Sequence, residues 1–383
     1  MIRFTEEHLD IRDMVASFSD NELRPMAARV DHGPEFPREG LNKLAELGIL
    51  GLVAPEEHGG INGDLRMVSL VLEELARGCA STAMVLGTHL AEVTLALREL
   101  GSEAQQSSLL PRLASGELLG SFCIAEVDAE CDAGAIACVA TRDGDDWVLD
   151  GVKKYVVAGS AAGLYLVVAR AADVPGTEGL RLFLVDGGAQ AAGVRIVGEE
   201  DMLGMRGCGI AEVAFEECRV PASALLGERE QDFDAIRGIL AAGRIGAAAI
   251  AAGVARSSID YALIYAGERR AFGRSIDQFE AIRNMIADGR IAAEAGRLLT
   301  YNAAALRDAG SSYHMEASMA KLQSCEGAYK ATKSAVQVLG GNGYSREYPV
   351  ERMYRDAKTL EVLEAPAELH RRLVARALIG DKS

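Results

Sequence analysis

The chain switches between two hydrophobic periods. From Glu6 to about Gly116, apolar residues recur three and four apart, the spacing of a helix with one buried face. Leu41, Leu44, Ala45, Leu47 and Gly48 make one such face, while Val68, Leu70, Val71, Leu72 and Leu75 make a more fully buried helix. Gly33-Pro34, Pro55 and Gly59-Gly60 punctuate these helices. From about Ser121 to Gly227 the period falls to two. Residues 137–141 and 147–149 flank Asp143-Gly144-Asp145, a hairpin signal, and further strands are expected at 165–169, 180–185, 194–197 and 211–215. With no helical pattern between them, these strands predict a small antiparallel, barrel-like domain. From Phe233 onward the helical period returns in long segments, 233–267, 276–308, 313–339 and 367–379, which predict an antiparallel four-helix bundle. The expected division is a helical domain over 1–120, a β-domain over 121–228 and a bundle over 229–383.

Composition narrows the functional classes. A hydrophobic share of 49% with 25% charged residues excludes disorder as the dominant state, and 383 residues suit two or three domains. The balance of 40 basic against 56 acidic residues, a net charge of −16, argues against nucleic acid or an anionic membrane as the main partner. Aromatics are only 5% while glycines number 41, which suits closely packed helices. The charged amino terminus has no apolar signal region, and the apolar stretch 236–255 is interrupted by Arg237 and Arg244, so it reads as a buried helix and not a membrane span. Seven cysteines without a C-x-x-C pair predict neither a disulfide framework nor a metal site and fit a reducing, cytoplasmic location.

The motifs add chemistry. Tyr261-Ala-Leu-Ile-Tyr-Ala-Gly-Glu-Arg269-Arg-Ala-Phe272-Gly, and above all Gln337-Val-Leu-Gly340-Gly341-Asn-Gly-Tyr-Ser-Arg-Glu-Tyr-Pro-Val-Glu-Arg-Met-Tyr-Arg-Asp-Ala-Lys358, resemble the signatures of acyl-CoA dehydrogenases. Ala54-Pro-Glu-Glu-His-Gly-Gly60, Leu203-Gly-Met-Arg-Gly207 and Arg219-Val-Pro-Ala-Ser223 match further landmarks in the same order, so the resemblance covers nearly the whole chain. It implies a helical domain, a middle β-domain and a four-helix bundle, with FAD as cofactor and an acyl thioester on CoA or a carrier protein as substrate. It also implies an electron-transfer flavoprotein as a partner and a homodimer or homotetramer. The implied reaction is α,β-desaturation: a glutamate takes the α-proton, and the β-hydrogen leaves as hydride to flavin N5.

By position the resemblance gives the base role to Glu364, within Val362-Leu-Glu-Ala-Pro-Ala-Glu-Leu369. Pro366 would open the last helix, with Leu369, Leu373, Val374 and Ala377 on its buried face. Taken alone, Glu364 reads as an exposed or N-terminal acid favoured by the helix dipole. Arg269, Phe272, Gln337, Gly340 and Gly341 match positions at the adenosine and pyrophosphate end of the cofactor; Arg269 alone would be a solvated helix charge. Phe122, Ile124, Ala125, Cys131, Tyr155 and Val157 match its flavin-side positions. Because the two sets are implied to face one cofactor from different subunits, an oligomer is expected. Arg244 matches an arginine near the thioester-carrier end of the substrate site, or serves as a structural ion-pair partner; the usual Asp three residues before it is Ala241.

The departures from the family pattern fall on the cofactor contacts. Ala125 and Val157 stand where threonines contact the flavin, Tyr155 replaces a Trp, and Glu130-Cys131 replaces a Gly-Ser pair near the pyrophosphate, placing a negative charge beside phosphate. Glu280 stands for a Gln, and Glu364-Ala-Pro366 for Glu-Gly-Thr. Cys131 reads as a small hydrophobe more readily than as a reactive thiol, since no base or cation cluster adjoins it. Two readings follow: an FAD-dependent acyl thioester dehydrogenase, or a flavin-poor relative acting as a non-catalytic subunit or in a non-redox thioester reaction.

Overall fold

The computed structural model describes residues 2–33, 35–129, 131–227 and 233–380. Pro34 and Glu130, both weighed above, lie outside the described residues. The amino-terminal region is built from helices α1 (Glu6–Phe18), α2 (Arg24–His32), α3 (Arg38–Glu46), α4 (Leu65–Gly78), α5 (Ala80–Gly87), α6 (Leu95–Leu100) and α7 (Glu103–Ala114). Local chemistry starts several of them. The Thr5 and Asp64 side chains accept N-cap hydrogen bonds from His8 and Met67, and Ser102 with Gln105 closes a reciprocal capping box before α7. Helix α4 is buried almost all round, as its pattern predicts. The α3 stripe is only partly enclosed, since Leu41 and Leu44 are buried while Leu47 is exposed. Helices α5 and α6 are joined by a π-helical segment, Thr88–Thr94, into one continuous rod.

Seven strands follow: β1 (Gly120–Cys123), β2 (Val139–Asp143), β3 (Asp146–Val156), β4 (Leu164–Ala171), β5 (Leu180–Asp186), β6 (Val194–Glu199) and β7 (Ala211–Val220). The expected hairpin is present, with Asp143 paired to Asp146 across Gly144-Asp145. The antiparallel expectation needs one correction. Four strand pairings are antiparallel, but β1 and β2 both run parallel to β4, at different places along it. The chain leaves β1 through the 124–138 loop and returns alongside β4 in the same direction, so both strands share its sense. Strand β1 was not anticipated, and β2 begins two residues later than its pattern suggested. The N–H groups of Ala137 and Cys138 donate to the Glu126 carboxylate, at 2.6 and 3.0 Å, instead of entering the ladder.

The carboxy-terminal region holds α8 (Phe233–Glu268), a short hairpin of β8 (Arg270–Ala271) and β9 (Arg274–Ser275), then α9 (Glu280–Asp308), α10 (His314–Leu339), α11 (Val350–Val362) and α12 (Ala367–Ile379). Here the four-helix expectation becomes five helices: α11 was missed, and α9 starts at Glu280 because Phe272 and Gly273, at φ of +50° and +81°, turn the chain into the hairpin first. Helix α12 buries only His370. Leu369, Leu373 and Val374 are half-buried and Ala377 is exposed, so the apolar face predicted for it is largely uncovered within the chain.

The glycine and alanine content is explained by helix contacts. A Cβ on Gly253 of α8 would stand 2.2 Å from the Glu73 carbonyl oxygen of α4, and one on Gly296 of α9 would meet Ser324 of α10 at 2.7 Å. These backbones touch, and only glycine allows it. Two helical stretches, Ala80–Leu100 and Phe233–Glu268, are long and apolar enough to cross a membrane, but the first is fully buried in the fold and the second largely so. They are core helices. The middle and outer parts are tied together at the motif Leu203–Gly207. The Asp356 carboxylate accepts the Met205 N–H at 2.6 Å, while Arg355 donates to the Leu203 carbonyl at 3.0 Å and pairs with Asp31 at 2.6 Å.

Candidate functional site

Glu364 lies in the turn between α11 and α12. Its φ is +56° and that of Ala365 is +76°, two consecutive non-glycine residues in the left-handed region. Such a conformation costs on the order of 1 kcal/mol or more per residue and persists only where its surroundings fix it. Those surroundings are present. Lys321 of α10, fully buried, donates from Nζ to the carbonyls of Ala365 at 2.7 Å and Glu361 at 3.1 Å. His370, also fully buried, donates from Nε2 to the Glu364 carbonyl at 2.9 Å. Because the partner is a carbonyl, the proton sits on Nε2, and Nδ1 is an acceptor with no hydrogen-bond partner among the described residues. Burial, with Lys321 and Arg244 nearby, pulls the imidazole down to about 4, so it is neutral at physiological pH. Pro366 is the N-cap of α12 and not its first helical residue.

The Glu364 side chain turns inward onto α8. A methyl added to Gly243 would stand 3.0 Å from Glu364 Oε2 and 2.7 Å from Oε1 of a second acid, Glu92. Only a glycine leaves room for both carboxyl groups there. Burial pushes the Glu364 carboxyl up, against the opposing pull of the Arg244 and Lys321 cations. Arg244, the next residue of α8, is itself desolvated, and its Nε has no hydrogen-bond partner among the described residues. Arg244 makes no ion pair among the described residues, but its charge favours the ionised form of Glu364, so it neighbours the candidate base without deciding between its two sequence readings. Nothing in the sequence pattern pointed to Lys321, His370 or Glu92 as members of this cluster. A signal existed for Glu92, the one acid in the apolar run from Ala83 to Leu97, because an acid rarely sits in an apolar helix without a reason.

The flavin-side residues gather on the β-domain. Phe122 and Val157 are buried, Ile124 is half-buried, and Ala125 and Cys131 are exposed. The Ser121 hydroxyl donates to the Val157 carbonyl at 2.5 Å, and Lys154 N–H donates to the Ala125 carbonyl at 2.9 Å. Fully buried Lys153 pairs with Glu126 at 2.6 Å and donates to the Ile124 carbonyl at 3.1 Å, which fixes the segment bearing Ala125. Tyr155 sits at φ +56° on an irregular stretch of β3 and is 50% exposed, and Cys131 is at φ +66°. The other six cysteines are buried, and all seven are free thiols.

The adenosine-side residues lie at the opposite end of the bundle. Arg269, Gln337, Gly340 and Gly341 are exposed, and Phe272 is 95% exposed. Arg244 and the end of α8, where Arg269 follows, are about 36 Å apart at the helical rise. Within one chain, therefore, the structure brings Glu364 to Arg244 but keeps both far from Arg269 and Phe272. A Cβ on Gly341 would meet nothing within 4 Å, so no crowding inside the chain requires glycine there.

With this geometry in hand, comparison with known proteins is informative. The amino-terminal, middle and carboxy-terminal domain models of acyl-CoA dehydrogenase match residues 5–117, 121–218 and 233–379. The short-chain specific acyl-CoA dehydrogenase of Clostridium acetobutylicum is 36% identical over 371 residues, 97% of each chain. A chain from the solved structure of the electron transferring flavoprotein of Acidaminococcus fermentans is 34% identical with a TM-score of 0.96, over the full length of both. The butyryl-CoA dehydrogenase of Megasphaera elsdenii is 32% identical with a TM-score of 0.95, over 99% of this chain and 100% of that one.

Proposed function

Because this chain belongs to the acyl-CoA dehydrogenase family, we propose that it is an FAD-dependent oxidoreductase that desaturates a short acyl thioester between its α and β carbons. The observation that carries the reading is Glu364: a carboxylate held in a strained turn by Lys321 and His370, aimed into the fold and flanked by Arg244. Strain of this kind, fixed by buried partners, marks a side chain placed for chemistry.

The residues present suit the family's cofactor in shape. Tyr155 and Phe272 are aromatic surfaces left uncovered at left-handed φ, and Gly341 leaves open space for close approach. Ile124, Ala125, Tyr155 and Val157 would hold the flavin end, and Arg269, Phe272, Gln337, Gly340 and Gly341 of another subunit the adenosine end. When bound, FAD supplies an acceptor for the β-hydrogen as hydride. The rest is the work of this chain. A Glu364 carboxylate oxygen takes the α-proton, and Arg244 and Lys321 favour the ionised form that can do so. Electrons would leave to an electron-transfer flavoprotein partner. Short-chain specificity is proposed from the named relatives and not from an acyl cavity.

Anaerobic addition of butyryl-CoA to the FAD-loaded protein should bleach the yellow flavin absorbance and release crotonyl-CoA. No bleaching with any acyl-CoA of four to eight carbons would remove the reading. The flavin-poor alternative keeps one specific support: neither Ala125 nor Val157 has a side-chain donor for the flavin. A flavin-to-protein ratio near one after purification decides against it.

A further inference from the structure

We infer that Glu92 is a positioning residue for the α-proton base: it carries the single proton of a buried carboxyl–carboxylate pair and donates it in a hydrogen bond to Glu364. The inference rests on the reading of Glu364 as that base and adds a residue that the family motifs quoted above do not contain.

Geometry comes first. Glu92 is buried, 3% exposed, on the π-helical segment Thr88–Thr94. A π-helical turn inserts one residue relative to an α-helix, re-aims the side chains around it and is frequent at functional sites. Here the segment directs Glu92 at Gly243, where its Oε1 and Glu364 Oε2 occupy the space that a Cβ on that glycine would fill, 2.7 and 3.0 Å from it, and the two carboxyl groups interact. Two buried carboxylates this close cannot both be ionised, so one proton is shared between them.

The cations decide which acid holds it. Arg244 of α8 and Lys321 of α10 both act on Glu364, and neither is a partner of Glu92. The remaining titratable neighbours do not change this. His370 of α12 is neutral, the Cys123 thiol of β1 is held protonated by burial, and His89 is committed to the Leu50 carbonyl and the Gly120 N–H. Glu364 is therefore the carboxylate and Glu92 the acid. Burial pushes Glu92 well above the ordinary carboxyl range, and its donated hydrogen bond draws Glu364 down. Glu92 thus offsets part of the burial that would otherwise protonate the base and disable it at neutral pH, and it fixes the rotamer from which Glu364 reaches the α-proton.

The test uses the full-length, FAD-loaded protein and two readouts. The first is the pH dependence of α-proton exchange on butyryl-CoA. Glu92→Gln keeps a donor of the same shape and should leave the acid limb where it is in the wild type. Glu92→Leu removes the donor and should move that limb upward by about one pH unit, a tenfold loss on its acid side. If Glu92→Gln moves the limb downward, Glu92 was an anion repelling the base, and the inference is wrong. An unmoved limb in Glu92→Leu also overturns it. The second readout needs no activity: the infrared band of a protonated carboxyl at pH 7 should disappear in Glu92→Gln and persist in Glu364→Gln. The opposite pattern places the proton on Glu364 and ends the proposal. Should Glu364→Gln still exchange the α-proton at the wild-type rate, the base reading fails by itself, and the infrared pair of variants still decides which acid holds the proton.

Discussion

The two ends of the carboxy-terminal bundle are made from the same helices and could hardly differ more. At one end, α8, α10 and the turn before α12 enclose Gly243, Arg244, Lys321, His370 and Glu364, with Lys321 and His370 donating to the carbonyls of the turn. At the other, about 36 Å along α8, Arg269 and Gly341 are exposed and Phe272 is almost wholly so. One end is enclosed within the chain; the other is open. A large aromatic residue held at φ +50° with no cover of its own makes sense as a surface awaiting another molecule. On the proposed reading, Glu364 and the adenosine-side positions of a single chain lie too far apart to serve one cofactor, and that separation is the ground for proposing an oligomer.

The largest effect should come from the closed end. Glu364→Gln keeps size and removes basicity, so α-proton exchange should fall by about 10³-fold with the melting temperature nearly unchanged. Unchanged exchange would move the base elsewhere and remove the functional meaning of the closed end. Next in size is the flavin side. Ala125→Thr with Val157→Thr should tighten FAD roughly 5- to 150-fold if both hydroxyls donate, measured by flavin fluorescence titration. Because Val157 is buried, the same pair should lower the melting temperature of the flavin-free protein, where one new hydroxyl lacks a partner. A gain in affinity without that loss would mean the hydroxyls find partners inside the chain.

At the open end, Arg269→Ala should weaken FAD about tenfold and leave the flavin-free melting temperature alone, since the side chain is exposed. A melting shift with unchanged FAD affinity would show that Arg269 serves the fold and not the cofactor. The smallest effect concerns the tether that carries the β-domain to the bundle. Burial raises Asp356 to about 6, so the folded state holds its proton more tightly than the unfolded chain does. The stabilisation from this group is full below about pH 4 and is lost as pH rises through about 6. Urea unfolding should therefore show the stability difference between wild type and Asp356→Asn shrinking from pH 4 to pH 6 and flat above; a constant difference would exclude Asp356 as the titrating group.

Much of this molecule was legible in the linear pattern. The helical–β–helical order, the hairpin at Gly144-Asp145, the buried α4 and the tight alanine- and glycine-lined helix contacts all follow from spacing and composition, because a hydrophobic period constrains local geometry directly. The motif resemblance identified the family and singled out Glu364. What the pattern could not carry were relations between distant segments. The parallel placement of β1 and β2 on β4, the late start of β2 at Val139 where Glu126 takes up the preceding N–H groups, and helix α11 depend on partners beyond the local pattern. So does the cluster around Glu364: Glu92, Lys321 and His370 are separated from it by 272, 43 and 6 positions, and only chain packing makes them neighbours. Hydrophobic period is a property of consecutive residues, whereas the charge state of a buried acid belongs to whatever surrounds it in space. The sequence by itself determined the order of helical and β regions and the family they compose; the tertiary structure decided which acid faces which cation, and which end of the bundle is left open.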